Sequence, residues 1–374
     1  MARHRTVLLA LITIGLGFVA FLGTAELVLR FLPVSSGLRA LPVTADDPVF
    51  RFTSNRSYVF SKEWNFQMVN YGRVNNAGWV NDQDYQTQSA VPLLAVIGDS
   101  FIEALMVPYR DTLEGRLAAD YADHLRVYSF AGSGAPLSQY LIWAQHAVKV
   151  YGAKALVINV VGNDFDESLA AYKAAPGFWH YVPDADGVLR LHMFRNDVSL
   201  ATWIVRRSAF LRYLAINLHA GSASLANVYE IFAPSARQEP RYSGNTSTST
   251  ELKRVKDSLA AIDAFLRDLP VMTGLPSDRV AFTLDGVRYP RDSPAGPESY
   301  FELMRRVFRE KAEALGYEVL DLDPLFFARF SATGERFEFP ADNHWNSNGH
   351  AIVALAVRSS RLLAHVLAAS SSGH

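Results

Sequence analysis

The chain has 374 residues, 49% of them hydrophobic and 12% aromatic, with a formal net charge of -1. One large α/β domain with insertions absorbs that length, and the lack of a basic excess excludes nucleic acid as a partner class. There is no cysteine, which excludes disulfides, thiolate catalysis and cysteine-based zinc sites and leaves the compartment to be read from the N-terminus.

Arg3 and Arg5 precede a run from Thr6 to Ala25 that carries no charge. About 20 apolar residues at ~1.5 Å each cross a hydrocarbon core, so residues 1–30 are expected to be a transmembrane anchor. Basic residues ahead of the run favour a cytoplasmic N-terminus and a periplasmic or extracytoplasmic body. The alternative is a cleaved signal peptide: Gly23-Thr24-Ala25 is a small-x-small site, but the run exceeds the usual ~7–15 apolar residues. Residues 31–75 mix Pro, Ser, Asp and scattered aromatics without a sustained period, and read as a linker and irregular lead-in.

The main domain, residues 76–368, alternates short apolar runs with amphipathic ones. Strands are expected at Leu93–Ile97, Val127–Phe130, Ala155–Val160, Val280–Leu284 and Glu318–Leu322, and helices at Asp111–Asp123, Leu137–Tyr151, Thr250–Leu269, Pro297–Leu315 and Ser347 to about Ala368. That alternation implies a parallel sheet covered on both faces, a three-layer α/β/α sandwich. Residues 165–248 interrupt it with a hairpin, Phe178–Val182 and Val188–Phe194 about a turn at Asp184–Gly187, and an apolar helix near Leu200–Leu218. Three readings of this insertion stand: a lid or specificity subdomain, a cap completing the core, or a stripe of Trp203, Phe210, Leu211 and Tyr213 lying on a bilayer. The tail from Ser370 is small and polar, as in a frayed end.

Four segments fall where parallel strands end. Gly98-Asp99-Ser100 follows the first strand, Ser129-Phe-Ala-Gly-Ser-Gly134 the second and Val161-Gly162-Asn163-Asp164 the third, while Asp342-Asn343-His344-Trp345 precedes the last helix. An imidazole two residues from a carboxylate can be oriented by it and act as the base for a serine hydroxyl, and small-residue loops let backbone amides approach an oxyanion. Each segment alone also reads as ordinary turn or capping chemistry. His350 is a competing base, ranked behind His344 because it falls inside the expected helix rather than on the preceding loop.

Together these blocks resemble the SGNH/GDSL hydrolase superfamily, over roughly Asn76 to Leu367. Asn76-Asn-Ala-Gly-Trp79 and Arg206-Arg-Ser-Ala-Phe-Leu211 are similar to segments of membrane-anchored members from bacterial envelopes, and the Asp-x-His-Trp form is similar to the branch containing alginate-acetylation proteins. The resemblance implies a flavodoxin-like sandwich with a five-stranded parallel sheet. It implies Ser100 as nucleophile, His344 as base and Asp342 as its orienter. The Ser100 and Gly134 amides and the Asn163 side chain are the implied oxyanion donors, and neither cofactor nor metal is called for. Three departures stand out: Asp-x-His replaces the commoner Asp-x-x-His, Ser129 and Ala131 replace Asn and Gly, and Phe101-Ile-Glu-Ala104 replaces a Phe-Thr-Phe-Gly type of sequence.

The expected function is acyl-ester hydrolysis or O-acyl transfer through an acyl-enzyme, on O-acetyl groups of envelope or exported carbohydrate. The insertion, with Trp179, His180, Tyr181 and Trp203, is expected to wall an acceptor groove. The rival readings are a lipase or thioesterase on longer acyl chains and a non-catalytic carbohydrate-binding assembly factor.

Overall fold

A computed structural model describes residues 2–196, 200–218, 251–290, 299–340 and 342–371. The expected helix starts at Thr250 and Pro297, the end of the insertion at Thr248 and the last three residues of the tail lie outside them. Helix α1, Ala2–Leu29, is followed by strands β1, Arg56–Lys62, and β2, Met68–Val74. Strand β3, Leu93–Gly98, leads into the one-turn helix α2, Ser100–Glu103, then α3, Leu113–Asp120, β4, Arg126–Ala131, α4, Leu137–Tyr151, and β5, Ala155–Val160. Next come β6, Trp179–Pro183, β7, Leu189–Met193, α5, Leu200–Val205, and α6, Ala209–Arg212. The chain continues with α7, Leu252–Thr273, β8, Val280–Leu284, α8, Tyr300–Ala314, β9, Glu318–Asp321, and α9, Asp323–Thr333. It ends with β10, Glu338–Phe339, β11, Asp342–Trp345, α10, Ser347–Arg358, and α11, Arg361–Ser371.

The chain forms two compact units. One holds Met1–Leu38, Ser57–Gly72 and Val198–Gln238; the other holds Arg39–Arg56, Arg73–Asp197 and Glu239–His374.

The larger unit is built on one sheet. Among the described residues, five strands pair in the order β4-β3-β5-β8-β9, all parallel. Numbered along the sheet's own sequence this is 2-1-3-4-5, the flavodoxin-like doubly wound order. Strands β3, β5 and β8 are buried along their whole length, as continuous apolar runs require when helices cover both faces. Alternate side chains separate the two faces. Leu94, Val96, Val127, Val157 and Ala281 share one core cluster with Leu113 and Leu117 of α3, Phe326 of α9, Val353 and Val357 of α10 and Leu362 of α11. On the other face Phe282 packs on Phe308 of α8 at 5.0 Å between ring centroids and on Phe265 of α7 at 6.1 Å. The three layers expected from the alternation are therefore present.

The smaller unit holds α1, whose stretch His4–Leu29 is long and apolar enough to cross a membrane, with a mean hydropathy of 2.4 over its best window. It also holds the turn of the β1–β2 hairpin, where an irregular lead-in was expected, together with α5 and α6 from the second half of the insertion. The expected last helix is two helices, α10 and α11, bent by 59°. Ser360 produces the break, because its Oγ accepts the Leu363 N–H at 3.1 Å and so starts a new helix.

One buried acid in α3 bears on stability. Glu114 is 1% exposed, its Oε2 has no hydrogen-bond partner among the described residues, and burial lifts its carboxyl from 4.5 to about 8. The folded chain then holds a proton that the unfolded chain releases above its ordinary value, so this group's contribution is full below about pH 4.5 and is lost as pH rises toward 8. Thermal melts of Glu114→Gln against the parent should coincide at about pH 4 and diverge on going to about pH 8, with the variant higher by about 2–4 °C per kcal/mol relieved.

Candidate active site

The site forms where the sheet's order reverses, outside the carboxyl ends of β3, β4, β5 and β8, the place where open α/β sheets take ligands. At the end of β3 a Cβ on Gly98 would lie 2.4 Å from Ile102 Cγ1, so glycine lets α2 fold back tightly against the strand. Asp99 caps that turn, its Oδ1 accepting the Phe101 N–H at 2.9 Å. The next residue, Ser100, is thereby held with its Oγ 2.7 Å from His344 Nε2 and 3.4 Å from Asp99 Oδ2. A hydroxyl has one proton, and the shorter contact selects the imidazole as its acceptor.

His344 lies on strand β11 rather than on the expected loop, and this accounts for the Asp-x-His spacing. Residues i and i+2 of a strand share a face, so Asp342 and His344 point the same way and Asp342 Oδ1 takes a close hydrogen bond from His344 Nδ1. The same oxygen accepts the His344 backbone N–H at 2.9 Å, so one carboxylate fixes both backbone and ring. Ser100, His344 and Asp342 are thus brought into one chain of hydrogen bonds. His350 is not part of it: it is buried in α10, its Nδ1 accepts the Leu113 N–H at 3.1 Å, and burial lowers its pKa to about 3.

The expected oxyanion donors also stand at this edge. Gly134 has φ +77°, the left-handed region that glycine adopts freely. Among the described residues the backbone N–H groups of Ser100 and Gly134 have no acceptor. Asn163 gives one Nδ2 hydrogen to Glu167 Oε2 at 3.0 Å and keeps the second. Asp164 ties the same loop down, accepting from Val161 N at 2.8 Å and Tyr140 Oη at 2.9 Å.

Several residues that the sequence reading passed over hold these parts in place. Lys173 Nζ donates to the Gly134 carbonyl at 2.9 Å and pairs closely with Glu167, the partner of Asn163, so one ion pair links two of the donor loops. Glu103, which departs from the family pattern, accepts Ser133 N at 3.1 Å and Ser133 Oγ, joining α2 to the loop that ends in Gly134. Burial raises the Glu103 carboxyl to about 7 and that of Asp99 to about 6. Arg288, fully buried, grips Asp285 through Nε at 3.2 Å and Nη2 at 2.6 Å, and its Nη1 donates to the Asn343 carbonyl at 2.7 Å. It thereby pins the central residue of Asp342-Asn343-His344. The available signal was an Asp285-x-x-Arg288 spacing directly after a predicted strand.

The insertion departs from the expected groove wall. His180 and Tyr181 are 0% exposed; the His180 ring binds the Glu167 carbonyl and the Ala175 N–H, and Tyr181 Oη donates to Asp268 at 3.2 Å. Both build core, and Trp203 belongs to the other unit.

No family model matches the chain, and no curated protein matches it. Among solved structures it is similar to a lipase from a goat rumen metagenome, at 12% identity over 72% of this chain and 97% of that one, with a TM-score of 0.35. It is also similar to a member of the lipolytic protein G-D-S-L family from Veillonella parvula, at 12% identity over 72% and 97% of the two chains, TM-score 0.33. An acetyl xylan esterase matches at 13% identity over 71% and 98%, TM-score 0.37. All three are remote in sequence, and the fold assignment itself rests on the strand order.

Two outcomes check the geometry, read by turnover of an activated acetyl ester and by thermal melting. His344→Ala should lower turnover by ~10²–10⁴ with little change in Tm, whereas His350→Ala should lower Tm and leave turnover within about tenfold of the parent. Arg288→Lys keeps the charge without the planar fork, and should lower kcat by about 10–100-fold with KM nearly unchanged.

Proposed function

We propose that the chain is a serine-dependent acyl-ester enzyme working through an acyl-enzyme, with Ser100 as nucleophile, His344 as general base and Asp342 as its orienter. The observation that carries this reading is the 2.7 Å contact from Ser100 Oγ to His344 Nε2, backed by the Nδ1 contact to Asp342. In the first half-reaction His344 Nε2 takes the hydroxyl proton as Oγ attacks the acyl carbonyl. Charge develops on the carbonyl oxygen, for which the Ser100 and Gly134 amides and the remaining Asn163 N–H are the donors. Collapse returns the proton from His344 to the leaving alkoxide and leaves the acyl group on Ser100. In the second half His344 deprotonates an incoming hydroxyl, which displaces Ser100 and carries the acyl group away. Water as that acceptor makes the enzyme a hydrolase; a sugar hydroxyl makes it an O-acyltransferase.

On substrate, the reading is a small O-acyl group such as acetyl on envelope or exported carbohydrate, with α1 as a membrane anchor and the catalytic unit on the periplasmic or extracytoplasmic side. The charge-free span behind Arg3 and Arg5 supports that side. An apolar cavity of about 530 Å³ lies beside α4 and the β6–β7 hairpin, lined by residues such as Ile142, His146, Trp179 and Met193. Neither Ser100 nor His344 lines it, so it gives no support to a long acyl tunnel at the nucleophile.

A fluorophosphonate should add its mass to the Ser100 peptide of the parent and leave Ser100→Ala unlabelled. With a series of activated esters, kcat/KM should fall as the acyl chain lengthens from acetyl. Labelling of a different serine in Ser100→Ala removes the assignment, and a rate that climbs with chain length turns the reading toward a lipase.

A further inference from the structure

Among its described residues the smaller unit carries several exposed apolar side chains. On α5, Leu200, Trp203 and Ile204 stand at i, i+3 and i+4, one helical face, and are 72%, 48% and 44% exposed. In a water-soluble helix this is the stripe that is normally buried. Arg207, one turn beyond Trp203, lays its guanidinium 3.6 Å from the Trp203 ring centroid. An exposed apolar stripe edged by a stacked cation has the composition of a helix lying in a headgroup layer.

What fixes the depth of this stripe is Glu26, the sole acidic residue of α1. It stands three residues before the helix ends, ~5 Å along the axis. Its carboxylate accepts the Ser208 hydroxyl at 2.7 Å, the Ala209 N–H at 3.1 Å and the Phe210 N–H at 2.9 Å, and it pairs with Arg30 at 2.8 Å. A carboxylate in the last turn of an apolar span is unfavourable unless it is satisfied, and here the first turn of α6 satisfies it. Arg212 Nε then reaches forward to the Ser35 carbonyl at 3.1 Å, and Asn217 Nδ2 to Ser61 Oγ at 2.7 Å. Tyr213 Oη holds the β1–β2 turn through the Trp64 carbonyl at 2.7 Å. Segments far apart in sequence are thereby fastened at the level where α1 ends. Phe31, Trp64 and Tyr71 are exposed in this same unit, as in the aromatic belt found where protein meets headgroups.

We propose that α5 is an interfacial element: Leu200, Trp203 and Ile204 enter the acyl-headgroup boundary of the bilayer that α1 spans, Arg207 faces the phosphates, and Glu26 sets their depth by capping α6. The inference rests on the reading of α1 as a span and is independent of the ester chemistry.

The test uses the full chain in vesicles of phosphatidylcholine and phosphatidylglycerol. The protein has no cysteine, so single nitroxide labels can be placed on Leu200→Cys and Trp203→Cys, with Leu16→Cys in the span and Val188→Cys in the exposed β6–β7 turn as references. Ester turnover by Ser100 reports that each variant is folded. The ratio of collisions with oxygen to collisions with a nickel chelate is read at each label. At 200 and 203 it should lie several-fold above the Val188 value and below the Leu16 value, and adding Glu26→Leu should bring the 203 ratio toward that of Val188. Ratios at 200 and 203 equal to Val188, with Leu16 still high, overturn the proposal. A 203 ratio unmoved by Glu26→Leu removes Glu26 from it. A low ratio at Leu16 overturns the span and the interfacial element together, while retained turnover leaves the acyl-ester reading standing.

Discussion

The geometry of Ser100, His344 and Asp342 depends on a fully buried ion pair. Asp285 and Arg288 are both fully buried, and removing two charges from solvent costs several kcal/mol per ion unless their hydrogen-bonding capacity is filled. Here much of it is: the guanidinium binds Asp285 twice and the Asn343 carbonyl once, and Trp345 Nε1 donates to the same carboxylate at 3.1 Å, while the Arg288 backbone N–H goes to Asp323 at 2.9 Å. Arg288 is held at φ 63°, a strained conformation for a residue with a side chain. The end of β8, the start of α9 and strand β11 are thus fixed relative to one another, and His344 with them. Phe101, 4.7 Å from the His344 ring, 5.0 Å from Trp345 and with Arg288 over its face, carries the same constraint to the helix that begins with Ser100.

The donor loops rest on a different physical basis. Asp99, Glu103 and Asp164 are buried carboxyls whose pKa values are all raised, chiefly by desolvation. With its carboxyl at about 7, Glu103 is partly neutral near pH 7, which limits its repulsion with Asp99. Lys173 pairs with Glu167, whose charge is among those that raise Asp99 and Asp164. Electrostatic preorganisation at this edge is therefore shared between α2 and the stretch just after Asn163.

The central strands were legible because burial on both faces forces unbroken apolar runs; Ala155–Val160 and Val280–Leu284 match the expected ranges, and β3, β4 and β9 differ from theirs by a residue at their ends. Ser100 and His344 were legible because the proposed roles of nucleophile and base need particular side chains at strand ends. The β1–β2 hairpin was not, since its turn places Glu63 and Phe66 at positive φ where glycine or asparagine would have announced it. The break at Ser360 left a weak trace, a serine pair ahead of a new apolar run. Arg288 and Glu26 left almost none: a charged residue that ends up satisfied by a distant segment has the same local signature as one in solvent.

Ser100 and its imidazole partner are 244 residues apart in the chain, and that separation has a temporal side. A polypeptide made from its N-terminus exposes the hydroxyl, with β3 and α2 able to form, long before β11 exists. Until then the Ser100 hydroxyl has no imidazole to accept its hydrogen bond. Contacts of such long sequence separation form late and slowly, so competence arrives as a final closing event. Assembly of the site is thereby coupled to completion of the fold.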